Sequence, residues 1–170
     1  AKLDAGGPLA VGPIVAGEAT TVAGEAMKAP ADATRVLSTV ASATKLQVDA
    51  AYASALAFQP HWNALGGAKR ADILESMANA MEHETDRLIA ILTREGGKTP
   101  DDCIAEVREA VDFCRYYAVE AETKFKGLET LPGPAGETNG LEMMGRGVFV
   151  CISPWNFPLA IFTGQISGAL

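Results

Sequence analysis

The protein has 170 residues, of which 48% are hydrophobic and 21% are charged, and its formal net charge is −7. This composition is typical of a globular chain with a sizeable core, and it lacks the basic surface that a nucleic-acid partner usually requires. No run of about 18 uncharged apolar residues occurs, so we expect no membrane span.

The cysteines and histidines argue against disulfides and bound metals. Cys103 and Cys114 fall in one predicted helix, roughly 16 Å apart along its axis, which is too far for a disulfide. Together with Cys151 they leave an odd count without a C-x-x-C pair, and free thiols fit a reducing cytoplasm. His61 and His83 lack a metal-ligand spacing, so we expect no metal site. The N-terminus also lacks the basic-then-apolar order of a secretory signal.

The first part of the chain is predicted to be extended. Residues 1–30 are rich in Gly and Ala with weak periodicity, which indicates a lead-in or linker with one short strand at Ile14–Val15. Residues 35–40 are predicted to form a second strand, because their β-branched side chains favour extended structure.

Four helices are predicted next. Thr44-x-x-Gln47 has the capping-box pattern and opens the first helix, which we expect to end at Pro60 with His61 in a loop. The second helix follows Gly66-Gly67. Its predicted apolar stripe consists of Ile73, Leu74, Met77 and Met81.

The third helix is predicted over about residues 84–95, with Leu88, Ile91 and Leu92 facing inward. It should end at Gly96-Gly97, because glycine adopts the left-handed cap conformation at little cost. We interpret Glu95-Gly96-Gly97-Lys98 as a helix stop with its charges at the surface.

The fourth helix has the clearest signals. Thr99 is a natural N-cap, Pro100 suits the first helical position, and Asp101 and Asp102 complement the N-terminal dipole. Gly127 should end the helix. The residues predicted to face the core are Ile104, Val107, Val111, Cys114, Ala118, Ala121 and Phe125, with Phe113, Tyr116 and Tyr117 beside them.

The last segment is more apolar than the helices before it and lacks their periodicity. Residues 148–152 are apolar without alternation, which predicts a strand covered on both faces inside a parallel sheet. A helix over residues 159–170 follows, with Pro158 in its first turn. Gly164 and Gly168 should let this helix pack closely against a neighbour.

Ligands bind beyond the carboxyl ends of strands in open α/β sheets, and residues 153–157 lie at such an end. Asn156 could donate a hydrogen bond to developing negative charge, although spacing alone favours a helix cap. Cys151 is interpreted as a small hydrophobic residue of the strand rather than a nucleophile. The chain contains no G-x-G-x-x-G fingerprint.

The sequence GVFVCISPWNFPLAIFTGQISGAL, with TREGGKT and AEVREAVDFCRYYA before it, resembles the aldehyde dehydrogenase superfamily. These segments are most similar in sequence to the branch that oxidises L-glutamate γ-semialdehyde, in particular the module found in bifunctional proline-utilisation proteins. The resemblance implies an α/β fold in three parts. They are an N-terminal helical part at 31–130, a loop and connecting strand at 131–147, and the start of a Rossmann-like NAD-binding domain at 148–170.

The resemblance also implies roles for individual residues. Asn156 matches the asparagine whose side chain helps form the oxyanion hole, and Phe157 matches an aromatic residue that lines the aldehyde tunnel. The family binds NAD without the glycine fingerprint. The stretch that matches its cofactor-binding backbone consists of Ile152, Ser153, Pro154 and Trp155.

The family's nucleophilic Cys, its general-base Glu and its ribose-contacting Lys have no match here, so we expect this chain to be part of a longer enzyme. Its expected partners are a small aldehyde, the remainder of its own chain and further copies in a homo-oligomer. FAD is expected only if a proline dehydrogenase domain precedes it. The alternatives are another aldehyde dehydrogenase branch, or a non-catalytic helical interaction domain that uses the fourth helix.

Overall fold

The computed structural model describes residues 8–20 and 23–170, so the predictions for residues 1–7 lie outside the described part. The chain divides into two compact units. The first comprises Ala1–Ala57 and Glu84–Arg108, and the second comprises Phe58–His83 and Glu109–Leu170. The helices and strands in chain order are β1 (Leu9–Val11), β2 (Ile14–Val15), β3 (Glu18–Ala19), β4 (Glu25–Ala29), β5 (Asp32–Val40), α1 (Lys45–Ala64), α2 (Gly66–His83), α3 (Thr85–Gly96), α4 (Pro100–Lys124), β6 (Glu129–Leu131), β7 (Asn139–Leu141) and α5 (Ala160–Ala169).

The first unit contains more sheet than the sequence predicted. The predicted strands at Ile14–Val15 and at residues 35–40 are confirmed as β2 and as part of β5. However, β5 also pairs with β1 in parallel and with β4 in antiparallel, and β2 pairs with β3. The interpretation of the first 30 residues as a linker is therefore wrong for the described part. These strands are held by backbone hydrogen bonds to neighbouring strands, a cause that leaves no periodicity in a Gly- and Ala-rich stretch.

The predicted helix boundaries in the first unit are largely confirmed. The Thr44 backbone N–H donates to Gln47 Oε1 at 2.9 Å, and the Gln47 N–H donates to Thr44 Oγ1 at 3.3 Å, which is the reciprocal capping box. Helix α3 ends at the left-handed C-cap Gly97, with φ 64°. The expected end of α1 at Pro60 is wrong, because the helix continues to Ala64 and His61 lies in its last turn.

Of the two charges around the α3 stop, Glu95 is exposed as predicted, whereas Lys98 is largely buried. Lys98 Nζ lies 2.5 Å from Glu106 Oε2, and the Glu106 side chain has 0% exposure. Glu95 Oε1 accepts a hydrogen bond from Ser38 Oγ at 2.9 Å. Lys98 lies just before the start of α4, and Glu106 lies in the second turn of that helix. Burial of a carboxylate requires such a partner.

In the second unit, α2 and α4 pack through small residues. One core cluster contains Ala71, Leu74, Ala118 and Ala121, and a second contains Ala78, Val111 and Cys114. Met77 and Met81 pack against these clusters as predicted. Ile73, Ile104 and Tyr116 are exposed, contrary to prediction. Small residues bring the helices close, so only the centre of each apolar stripe is covered.

Helix α5 packs closely against α4, which confirms the role predicted for its glycines. A Cβ on Gly164 would lie 3.0 Å from the Phe113 ring, and one on Gly168 would lie 3.0 Å from the Tyr117 ring. The two glycines are four residues apart, so they share one face of the helix. Within residues 8–20 and 23–170, no helix is both long and apolar enough to cross a bilayer.

Candidate functional site

The segment before the candidate loop is not the buried strand that the sequence predicted. Residues 148–152 form no ladder with any described residue, and Val150 and Ile152 are 78% and 81% exposed. A strand is defined by its hydrogen-bonded neighbours, and none of the described strands runs beside this segment. An apolar run can therefore predict that a segment is suited to a buried strand. It does not identify the neighbouring strand with which that segment would form hydrogen bonds.

Between this segment and α5 lies the candidate loop, residues 153–159. A turn includes Trp155 and Asn156, and Trp155 is 88% exposed. Pro154 and Pro158 each fix φ near −65°, and each also restricts the residue that precedes it. The loop is therefore exposed to solvent, although its backbone has few accessible conformations.

The start of α5 tests the two interpretations of Asn156. The helix begins at Ala160, one residue later than predicted, so Pro158 precedes the helix instead of lying in its first turn. Its N-cap is Leu159, and this cap has no side-chain hydrogen bond. Asn156 lies three residues before the N-cap and is exposed. Asn156 therefore does not occupy the N-cap position that spacing alone favoured.

A contact that the sequence analysis missed joins the loop to α5. Gln165 Nε2 donates to the Ile152 carbonyl oxygen at 2.9 Å. The Gln165 Oε1 atom is buried without a hydrogen-bond partner. No pattern signals this bond, because it links a helical side chain to the backbone of an irregular segment 13 residues earlier.

A cavity of about 650 Å³ lies beside this bond, within the second unit. Phe113 and Tyr117 of α4, residues 149–152, and the Gly164 and Gln165 side of α5 line it. Of the predicted site residues, only Ile152 contributes to this lining. Ser153, Pro154, Trp155, Asn156 and Phe157 lie on the loop beyond it.

The thiols of this chain suit structural positions. All three cysteines are free, and Cys103 and Cys114 are fully buried. Burial raises the pKa of the Cys114 thiol, and the nearby Glu75 carboxylate raises it further. A raised pKa disfavours the thiolate, which is the nucleophilic form. Among residues 8–20 and 23–170, no group of three or more His, Cys, Asp or Glu side chains could hold a metal ion.

Comparison with known proteins identifies the class. The profile of the aldehyde dehydrogenase family matches residues 19–170. The chain belongs to the aldehyde dehydrogenase family, as the resemblance implied.

The relatives indicate the branch. The bifunctional protein PutA of Escherichia coli is 44% identical over 163 residues, which are 96% of this chain and 11% of that protein. A crystal structure of a variant of proline utilization A from Bradyrhizobium japonicum is 52% identical, covers 76% of this chain and 13% of that one, and has a TM-score of 0.73. The structure of 1-pyrroline-5-carboxylate dehydrogenase from Thermus with bound NAD is 32% identical. It covers 99% of this chain and 33% of that one, with a TM-score of 0.90.

These comparisons confirm the predicted α/β fold of the aldehyde dehydrogenase type and the similarity to PutA and 1-pyrroline-5-carboxylate dehydrogenases. The chain spans about a tenth of the PutA length and about a third of the Thermus enzyme.

Proposed function

We propose that this chain supplies residues 152–157, which include most of the candidate loop, to an NAD-dependent dehydrogenase that oxidises L-glutamate γ-semialdehyde to L-glutamate. The observation that carries the proposal is the loop itself. Asn156 is exposed between two prolines and lies outside the N-cap of α5. The relatives named above support the choice of reaction.

In this proposal Asn156 acts as an oxyanion donor. When a thiol adds to the aldehyde, the carbonyl oxygen gains negative charge, and a preorganised amide N–H₂ stabilises that charge. The amide carries no charge of its own, so its donor capacity does not depend on pH. The thiol and the base that activates water would come from parts of the enzyme outside these 170 residues, since Cys103 and Cys114 are buried and Cys151 precedes the motif that the family's nucleophile follows.

The cofactor stretch is accessible to a ligand. Ile152, Pro154 and Trp155 are exposed, which supports the proposal that NAD lies along these residues. The Gln165 bond occupies the Ile152 carbonyl. NAD, when bound, would supply the hydride acceptor. This chain's contribution would be to support the cofactor and to keep Phe157 beside the aldehyde.

The wider setting is also part of the proposal. Residues 31–130 would form the N-terminal helical part, and residues 148–170 would begin the NAD-binding domain. The enzyme would be a cytoplasmic homo-oligomer. FAD would enter only through a proline dehydrogenase domain in the same chain, an arrangement that the word bifunctional in the PutA name supports.

The test is turnover by the complete enzyme that contains this segment. Asn156→Ala should lower kcat by about 10²–10³, the usual effect of removing one oxyanion donor, while NAD still binds. NADH formation measures kcat, and calorimetry measures NAD binding. Asn79→Ala is the matched control, because Asn79 pairs with Arg115 on the surface of the second unit. Unchanged turnover in Asn156→Ala would remove Asn156 from the mechanism. Faster turnover of an unrelated aldehyde would assign the enzyme to another branch.

A further inference from the structure

We infer that Gln165 is a positioning residue for Asn156. The inference rests on the proposed role of Asn156 and deepens it. Gln165 Nε2 holds the carbonyl of Ile152 at 2.9 Å, immediately before the candidate loop. Gln165 itself lies in the second turn of α5, immediately after that loop. The bond therefore connects the two ends of the segment that contains Asn156.

This bond closes a ring of backbone around the loop. Within the ring, Pro154 and Pro158 have fixed φ angles, and Ser153 and Phe157 are restricted because each precedes a proline. Between these restrained residues, Trp155 and Asn156 form the turn. The Gln165 bond adds a restraint on the Ile152 end of the loop relative to α5. Without the bond, that end of the loop loses this restraint.

The helix that carries Gln165 is itself well anchored within the second unit. Gly164 and Gly168 bring it close to the Phe113 and Tyr117 rings, as described above. Thr163 and Ser167 are buried on the same helix. At its C-terminal end, Trp62 Nε1 and Arg70 Nη1 both donate to the Leu170 carbonyl, at 2.9 and 3.0 Å. Gln165 therefore extends from a rigid support.

The other half of the Gln165 amide offsets part of what this bond contributes to stability. The Oε1 atom is buried without a donor, and a buried unsatisfied acceptor costs free energy. The Nε2 donor is satisfied by the Ile152 carbonyl. A methionine at this position would remove the orphaned oxygen together with the donor and would keep the side-chain length. The exposed Ile152 carbonyl could then bond to water.

The experiment uses the complete enzyme with Gln165→Met, Asn156→Ala and the double variant. We expect Gln165→Met to lower kcat about tenfold, since misplacing a catalytic donor by about 1 Å is costly. Its thermal midpoint should stay unchanged or rise. In the Asn156→Ala background the same substitution should change kcat less than about twofold, because the two residues act as one unit.

Asn63→Ala is the matched control. Asn63 Oδ1 accepts a hydrogen bond from the Gly145 backbone N–H at 2.7 Å, so it holds an earlier part of the same connecting segment. We expect its kcat to be that of the wild type.

Each outcome has a defined meaning. A wild-type enzyme without activity on the semialdehyde, or an Asn156→Ala variant with full activity, would overturn the proposed function and this inference with it. With those two results as expected, three outcomes would overturn the inference alone. They are full activity in Gln165→Met, a fall in kcat accompanied by a fall in thermal midpoint, and an equal loss in Asn63→Ala.

Discussion

Helix α4 begins at Pro100, directly after Thr99, and α5 begins two residues after Pro158, with Asn156 shortly before it. The two starts are nevertheless built in different ways. At α4, Thr99 Oγ1 accepts from the Asp102 N–H at 3.3 Å, and Lys98 pairs with the buried Glu106. At α5, the cap is Leu159 without a side-chain bond, and no acidic residue lies in the first turn. The start of α4 is held by its own polar side chains. The start of α5 has no side-chain cap bond at Leu159, and its first residue, Ala160, is buried.

The comparison shows how polar residues before a helix can be used. At α4, Thr99 accepts a hydrogen bond from a backbone N–H of the first turn, and Lys98 pairs with the buried Glu106 carboxylate. Their effect is therefore on the stability of the fold. At α5 the polar residue Asn156 does not occupy the cap, so its place in the loop has a different cause. Substitutions at the two starts should therefore separate stability from activity.

The largest effect on stability is expected from Lys98→Met. The substitution removes the ammonium group that pairs with the buried Glu106 carboxylate, which typically costs about 3–5 kcal/mol. Thermal unfolding would measure the loss. Lys98→Met combined with Glu106→Leu should recover most of it, because both charges are then absent. Lys45→Met, which breaks the exposed pair with Asp49, should cost at most about 0.5 kcal/mol. Equal losses in the two single variants would contradict the importance of burial at α4.

A smaller effect is expected from Gly168→Ala on α5. The added Cβ would lie 3.0 Å from the Tyr117 ring, and overpacking of this kind typically costs about 1–3 kcal/mol. The same thermal assay measures it. Tyr117→Leu in the same protein should relieve the clash and restore part of the loss. If Gly168→Ala is as stable as the wild type, α5 does not depend on close packing.

The smallest effect on stability is expected from the caps themselves. Thr99→Ala should cost about 1 kcal/mol, because it removes the bond to the Asp102 N–H. Asn156→Ala should cost no more than about 0.5 kcal/mol, since Asn156 is exposed and outside the N-cap. Comparison of the two thermal midpoints sharpens the contrast between the helices. An equal loss at both positions would mean that Asn156 stabilises its helix after all.

The parts of the fold that could be predicted are those with a local cause. The capping box at Thr44, the left-handed cap at Gly97 and the proline start of α4 each depend on residues within one turn, and all three are confirmed. The close packing of Gly164 and Gly168 was also predictable, because glycines four residues apart leave a flat strip on a helix. The Pro-Trp-Asn-Phe-Pro motif located the candidate loop by resemblance.

The parts that could not be predicted depend on contacts that extend beyond a single helical turn. The pairing of β4 with β5, the Lys98–Glu106 pair and the Gln165–Ile152 bond each require a chain path that periodicity does not contain. The strand predicted at residues 148–152 failed for a related reason, since apolar composition does not specify a pairing neighbour. Asn156 could be named from the sequence, whereas the residue that anchors its loop could not.

The division of the chain into two units has a consequence for the order of folding during synthesis. Each unit is assembled from two separated stretches, and residues Phe58–His83 of the second unit are made before Glu84–Arg108 of the first. The first unit can be completed only after Arg108 has left the ribosome. Arg108 follows Ala57 by about 50 residues, which take on the order of 3–10 s at about 5–20 residues per second. Before α3 is made, Ser38 of β5 lacks its hydrogen-bond acceptor, the Glu95 carboxylate. Helix α2 likewise keeps an uncovered apolar stripe until α4 has been made, so this is the interval in which a nascent chain most needs protection from aggregation.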